Sequence, residues 1–227
     1  MALLKMGSIV TNISGKVGGQ TFGVGRSGQY LKNTGSYINK QTPLRRLQNS
    51  RISYLTGIWR TLNQNDRNAW NNVATNFPKV NRVGDSRILS GFNLFVQFNA
   101  NRIMHGLQVN NNAPAPYSFN QFAMDSYVIS DGGMVIDFEV TDVNCFYAIF
   151  ASNPVSAGAS QNLKGLRLMR TFDGLNLSQT IDYSGNYFST FGRPQKDMRV
   201  FIRVYQYFKD SGQKSGYFLD FNDLVTS

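Results

Sequence analysis

Residues 134–140 read Met-Val-Ile-Asp-Phe-Glu-Val, and residues 145–151 read Cys-Phe-Tyr-Ala-Ile-Phe-Ala. From Ile136 to Val140 apolar and acidic residues alternate, so one face of an extended chain meets a core and the other meets water. The second stretch is apolar on both faces, as in a strand covered on both sides. Residues 198–208 form a third long extended run rich in Val, Ile, Phe and Tyr. Shorter runs lie near Phe119–Ala123, Leu166–Thr171, Ser178–Tyr183 and Tyr217–Phe221. Turn signals such as Asp210-Ser211-Gly212-Gln213 separate them. About seven short strands of this kind predict a small antiparallel β-sandwich over 117–227.

Upstream, the polar run Asn111-Asn112-Ala113-Pro114-Ala115-Pro116 has the composition of a linker. Before it the period changes. Residues 41–110 predict a helical region, opening at Thr42 as N-cap with Pro43 in the first turn. Leu44, Leu47, Ile52, Leu55, Ile58, Trp59 and Leu62 recur there at three- and four-residue steps. A second helix follows Asn63, with Asp66 placed as in a capping box, and Trp70, Val73, Ala74 and Phe77 make its apolar face before Pro78 ends it. The two form an αα-hairpin. After a loop, a third helix starts at Ser90, carries Phe92, Phe95, Val96, Asn99, Ile103 and Leu107 as its stripe, and ends near Gly106. Residues 1–40 are Gly-rich with short apolar bursts, which predicts a β-hairpin arm turning near Arg26-Ser27-Gly28. That arm lacks the material for its own core and is expected to order against a neighbour.

Charge is unevenly placed. The chain carries +10 overall; up to Asn110 there are 14 Lys/Arg against Asp66 and Asp85 (+12), and the remainder holds 9 against 11 acids (−2). A basic half of this kind suits an anionic partner. The single cysteine, Cys145, excludes an internal disulfide and points to folding in a reducing compartment. No long apolar run predicts a membrane span, and the first residues do not form a signal peptide.

Gly23-Val24-Gly25-Arg26-Ser27-Gly28 satisfies G-x-G-x-x-G, but no helical pattern follows it and no acid precedes Asp66. A dinucleotide site needs both, and a Walker loop needs Gly-Lys-Ser/Thr. The glycines instead predict sharp turns and close packing. His105 is the only histidine, and no carboxylate stands at helical spacing to orient it. Cys145, inside an apolar strand, reads as a small buried hydrophobe. Asp137 and Glu139 read as the solvated face of a strand. These patterns predict no catalytic residue, no metal site and no cofactor.

What remains is a surface. Lys16, Phe22, Arg26, Tyr30, Lys32 and Tyr37 are the expected subunit-interface residues, since Arg and Tyr are enriched in interface cores. Lys40, Arg45, Arg46 and Arg51 are the expected contacts to phosphate or to an acidic partner.

Three stretches, SGKVGGQTFGVGRSGQYLKN, TPLRRLQNSRISYLTGIWRTLNQNDRNAWNNVATNF and GDSRILSGFNLFVQFNANR, resemble a family of tailed-bacteriophage virion structural proteins found among crAss-like phages. The resemblance spans about residues 8–107. It rests on Ser27-Gly28-Gln29-Tyr30, Thr42-Pro43 with Arg45, Trp59-Arg60-Thr61-Leu62, Arg67-Asn68-Ala69-Trp70 and Ser90-Gly91 with Phe95. The remainder is similar to an immunoglobulin or fibronectin type III-like sandwich. The arm, helices and strands together predict an α+β chain, and the resemblance implies a non-enzymatic component of a virion, made in the bacterial host cytoplasm. It implies a homo-oligomeric ring, neck or tail-barrel protein of the head–tail connector region, with portal, ring, tail or capsid subunits as partners and packaged DNA in non-specific contact. Capsid decoration is the alternative it leaves open, and the basic half suggests a non-specific DNA-binding accessory role as a further one.

Overall fold

In the computed structural model, residues 2–4, 12–26, 28–33, 42–81, 83–138, 142–160, 162–174 and 179–226 are described, with the backbone alone at 2–4, 163 and 179. The chain is α+β, with helices and antiparallel sheets in two compact units, Met1–Val96 and Gln97–Ser227. The segment 111–116, read as a linker, falls within the second.

The first unit opens with four short strands: β1 (Ala2–Leu4), β2 (Gly15–Val17), β3 (Gln20–Gly25) and β4 (Gly28–Asn33). Their order is β1-β4-β3-β2, all antiparallel, so the sheet is wider than the single hairpin expected. The β3–β4 hairpin does turn where the sequence indicates, with Gly25 opposite Gly28 and Gly28 at φ +102°. None of the described side chains in β2, β3 or β4 is buried.

Helix α1 (Pro43–Thr61) starts as predicted, with the Thr42 side chain accepting from the Arg45 backbone N–H. Helix α2 (Gln64–Val73) is capped by Asn63, whose Oδ1 accepts from the Asp66 N–H at 2.8 Å. A 3₁₀ turn over Ala74–Asn76 ends it. The loop that follows contains two two-residue strands, β5 (Lys79–Val80) and β6 (Ser86–Arg87). Helix α3 (Gly91–Met104) crosses from the first unit into the second. In the first unit Trp59 meets Phe92 and Phe95 (centroids 5.7 and 5.3 Å), and Trp70 meets Phe95 edge-on at 5.3 Å. Such tilted and edge-on pairs each add about 0.5–1.5 kcal/mol beyond area burial. Leu55, Trp70, Leu94 and Phe95 are fully enclosed.

In the second unit α3 ends in a Schellman motif: Gly106, at φ +82°, donates to Ile103 O, and Leu107 donates to Arg102 O. Beyond it lie β7 (Met124–Ile129), β8 (Met134–Phe138), β9 (Cys145–Ala151), β10 (Arg167–Asp173), β11 (Gln179–Asp182), α4 (Ser184–Phe191), β12 (Arg199–Phe208) and β13 (Lys214–Leu224). They make two antiparallel sheets, β11-β8-β7 and β10-β9-β12-β13. One core joins the two, with Ile129, Met134, Ile136 and Phe138 from the first and Tyr147, Ile149, Ile202 and Val204 from the second. Over its described residues, 134–138, the first opening stretch behaves as read, with Met134, Ile136 and Phe138 buried, while Glu139 and Val140 lie outside the described residues; in the second, Cys145–Ile149 is buried throughout.

Two elements differ from the expectation. No strand forms over Phe119–Ala123: Phe122 is buried against Phe138 and Tyr147 without a strand partner for its backbone, and the strand begins at Met124. Residues 184–191 form α4, which the sequence reading did not include. Its Tyr187 is buried, with the hydroxyl donating to Ser152 O at 3.1 Å.

Candidate functional site

The G-x-G-x-x-G stretch is a strand feature. Gly23 sits directly opposite Tyr30, and a Cβ there would come within 2.8 Å of the Tyr30 ring. At Gly25 the gap to the same ring is 3.5 Å. The bare position at Gly23 therefore makes room for an aromatic ring laid across the sheet, which in turn covers backbone left open by glycine. Gly23, Val24 and Gly25 are paired in the β3–β4 ladder, opposite Tyr30, Gln29 and Gly28.

The register sorts the expected interface residues onto two faces. Lys16 and Lys32 both flank Thr21, and Tyr30 shares that face, so these three form one basic and aromatic surface. Phe22 lies on the opposite face beside Leu31, with Val17 and Val24, which are 68% and 58% exposed. Arg26 is exposed at the hairpin turn. Tyr37 and Lys40 lie outside the described residues.

Arg45, Arg46 and Arg51 lie on the first three turns of α1. Leu44, Leu47 and Arg51 sit eleven, eight and four residues before Leu55, and Ile52 three before it, all on the stripe that continues through Ile58, Trp59 and Leu62. The C-terminal part of this stripe packs onto aromatics of α3, and Leu55 is fully buried. The N-terminal part is uncovered: Leu44 is 60% and Leu47 48% exposed, with Ile52 and Tyr54 alike. One continuous apolar stripe is thus half packed and half open, with Arg51 within the open half and Arg45 at its edge.

In the second unit the titratable side chains are tied into the fold. His105 has a carboxylate partner from beyond helical spacing: Asp173, 68 residues away on β10, lies 3.2 Å from its Nε2. The imidazole stacks flat on Phe146 at 4.3 Å, and Lys209 joins Asp173 at 2.7 Å. Burial alone would raise the Asp173 carboxyl, but hydrogen bonds from Lys209 and His105 outweigh it and hold the group below its usual range. Cys145 is fully buried, and burial pushes its thiol up to about 12, so the nucleophilic thiolate is disfavoured. Tyr117 donates to Asp142, and that hydrogen bond with burial lifts the phenol to about 12. Asp137 accepts from Ser126 on the outer side of β8. Glu139 lies outside the described residues. A cleft between β12, β13 and the loop at Ser160 has one charged lining residue, Asp220, which Arg203 grips in a bidentate pair. Among the described residues no three His, Cys, Asp or Glu side chains are placed to hold a metal ion, and no helix is long and apolar enough to cross a membrane.

The arrangement best suited to act on another molecule is therefore the open half of α1 with the β1–β4 sheet. Periodicity exposed the α1 stripe in the sequence; what it could not show is how little of that stripe the chain covers itself. Compared with known protein families, curated proteins and solved structures, the chain matches none.

Proposed function

We propose that this protein is a non-enzymatic structural component of a tailed-bacteriophage virion. In this reading it is an oligomeric ring, neck or tail-barrel subunit of the head–tail connector region, and it assembles through its first unit. The observation that carries the proposal is the half-covered stripe of α1. Leu44, Leu47, Ile52 and Tyr54 are all exposed on a helix whose other half packs normally. Exposed apolar rows rimmed by polar residues mark association surfaces. The sheet β1–β4 adds a second such surface, since it buries none of its described side chains in β2–β4. In the second unit, a fibronectin type III-like sandwich fits the strand order. The first, second and fifth strands pair in one sheet, and the third, fourth, sixth and seventh in the other.

Particles purified by density gradient test this directly. The protein is expected among their components by mass spectrometry, and its absence from them sinks the reading. Variants L44S, L47S and I52S are expected to fold and to lose incorporation.

A second reading, non-specific contact with packaged DNA, is favoured by one observation. The first 65 residues carry nine Lys/Arg and no acid.

A further inference from the structure

We infer that the open half of α1 docks on a second copy of this same chain, head to tail, against the outer side of the β7 edge of its second unit. This rests on the reading of α1 as an assembly surface and names its partner.

The argument starts from charge. Residues 1–65 hold nine Lys/Arg and no acid, whereas residues 103–163 hold five acids and no Lys/Arg. One chain therefore carries both halves of a complementary pair, each uninterrupted by the opposite sign. The basic half includes Arg45, Arg46 and Arg51 on α1, of which Arg51 lies within the open apolar stripe and Arg45 at its edge. The acidic half includes β7, an edge strand of its sheet. Asp125 and Asp131 are exposed near its two ends, and between them Val128 is 51% exposed. Ser126 and Asp137, neighbours on that same outer side, continue the polar surface. An apolar centre with acids at its rim is the counterpart of an apolar stripe that carries Arg51 within it and Arg45 at its edge.

Charge also excludes the simplest alternative geometry. A two-fold pairing of α1 on α1 would bring two faces that each carry Arg45 and Arg51 and no acid against one another, and like charges across an interface are costly. A contact between different patches of identical chains is heterologous, and repeated it yields a ring or a filament rather than a closed dimer.

Sedimentation velocity tests this on the full chain. At about 50 mM salt, roughly a 14 Å screening length, the wild type is expected to form species larger than a dimer, and at about 500 mM to dissociate to monomer. R45D/R46D/R51D and D125K/D131K are each expected to remain monomeric at low salt with unchanged circular dichroism. The chain combining both sets is expected to associate again, because the signs are exchanged on both sides. A wild type that stays monomeric at low salt, or a combined variant that stays monomeric while folded, overturns the inference. A photo-reactive amino acid at Leu47 in purified, mixed-isotope particles separates this failure from failure of the assembly reading. Cross-links to the β7 region of another copy support both. Cross-links to a different protein overturn self-docking and keep the assembly reading, and a lack of any protein cross-link overturns both.

Discussion

Two helical glycines have opposite expected signs. At Gly91 a Cβ would lie 2.6 Å from the Asn71 backbone nitrogen and 2.7 Å from the Trp70 carbonyl carbon. Backbone cannot swing aside, so G91A is expected to cost about 1–3 kcal/mol, the usual range for overpacking. At Gly57, on an exposed position of α1, a Cβ would meet nothing within 4 Å. G57A should therefore add about 0.5–1 kcal/mol through helix propensity alone. Urea unfolding of both variants followed by tryptophan fluorescence checks the pair, and a shared sign would contradict it. Asp173 gives a pH dependence. Burial opposes ionisation, but Lys209 and His105 hold its folded pKa below the unfolded value. Its stabilisation is therefore present above about pH 4 and lost as pH falls through the folded value. The side chain is 57% exposed, so solvent screening limits the effect to about 1 kcal/mol or less. D173N is expected to be less stable than wild type at pH 7 and to converge with it near pH 2, measured by denaturant titration across that range.

At the level of elements, α1 separates stability from association along its own length. L55A, in the covered half, should cost about 2–5 kcal/mol. L47S, two turns earlier on the same stripe, should change stability by no more than about 0.5 kcal/mol, because its side chain is half exposed already. Chemical denaturation of the two variants measures this, and a large loss in L47S would mean that the N-terminal turns are covered after all. The helices were legible because Thr42-Pro43, Asn63 and Ser90 are strong starts and the apolar steps are regular. Helix α4 was not. Its eight residues, Ser-Gly-Asn-Tyr-Phe-Ser-Thr-Phe, carry aromatics and Thr that suit a strand. It is held instead by tertiary contacts, with the Asn186 side chain donating to Met169 O at 2.7 Å and Tyr187 enclosed. The His105–Asp173 contact had no local signal, as topology alone brings two residues 68 apart within reach. The glycine motif was legible as structural, but its pairing with Tyr30 needed the register.

For the molecule as a whole, the two compact units differ in charge more than in size. Met1–Val96 contains 13 Lys/Arg and 2 acids, while Gln97–Ser227 contains 10 and 11. If the first unit also touches nucleic acid, binding to a random duplex should follow a straight line of log K against log salt, with a loss of about a thousandfold or more between 50 and 200 mM when six or more phosphates are engaged. Replacing Arg45, Arg46 and Arg51 by Gln should flatten that slope by about one for each phosphate contact removed. Fluorescence anisotropy of a labelled duplex reads both quantities, and a salt-independent signal would remove the DNA reading while leaving protein assembly intact.

Both tryptophans of the chain, Trp59 and Trp70, belong to the first unit, and they differ in enclosure. Trp70 is sealed, whereas Trp59 is only partly covered and shares its stripe with the open leucines. Native indole emission is therefore an unlabelled optical gauge at the place where docking is proposed. A steady contribution comes from one ring, a shift towards the blue on water exclusion is available from the other, and the second unit stays dark under excitation selective for indole.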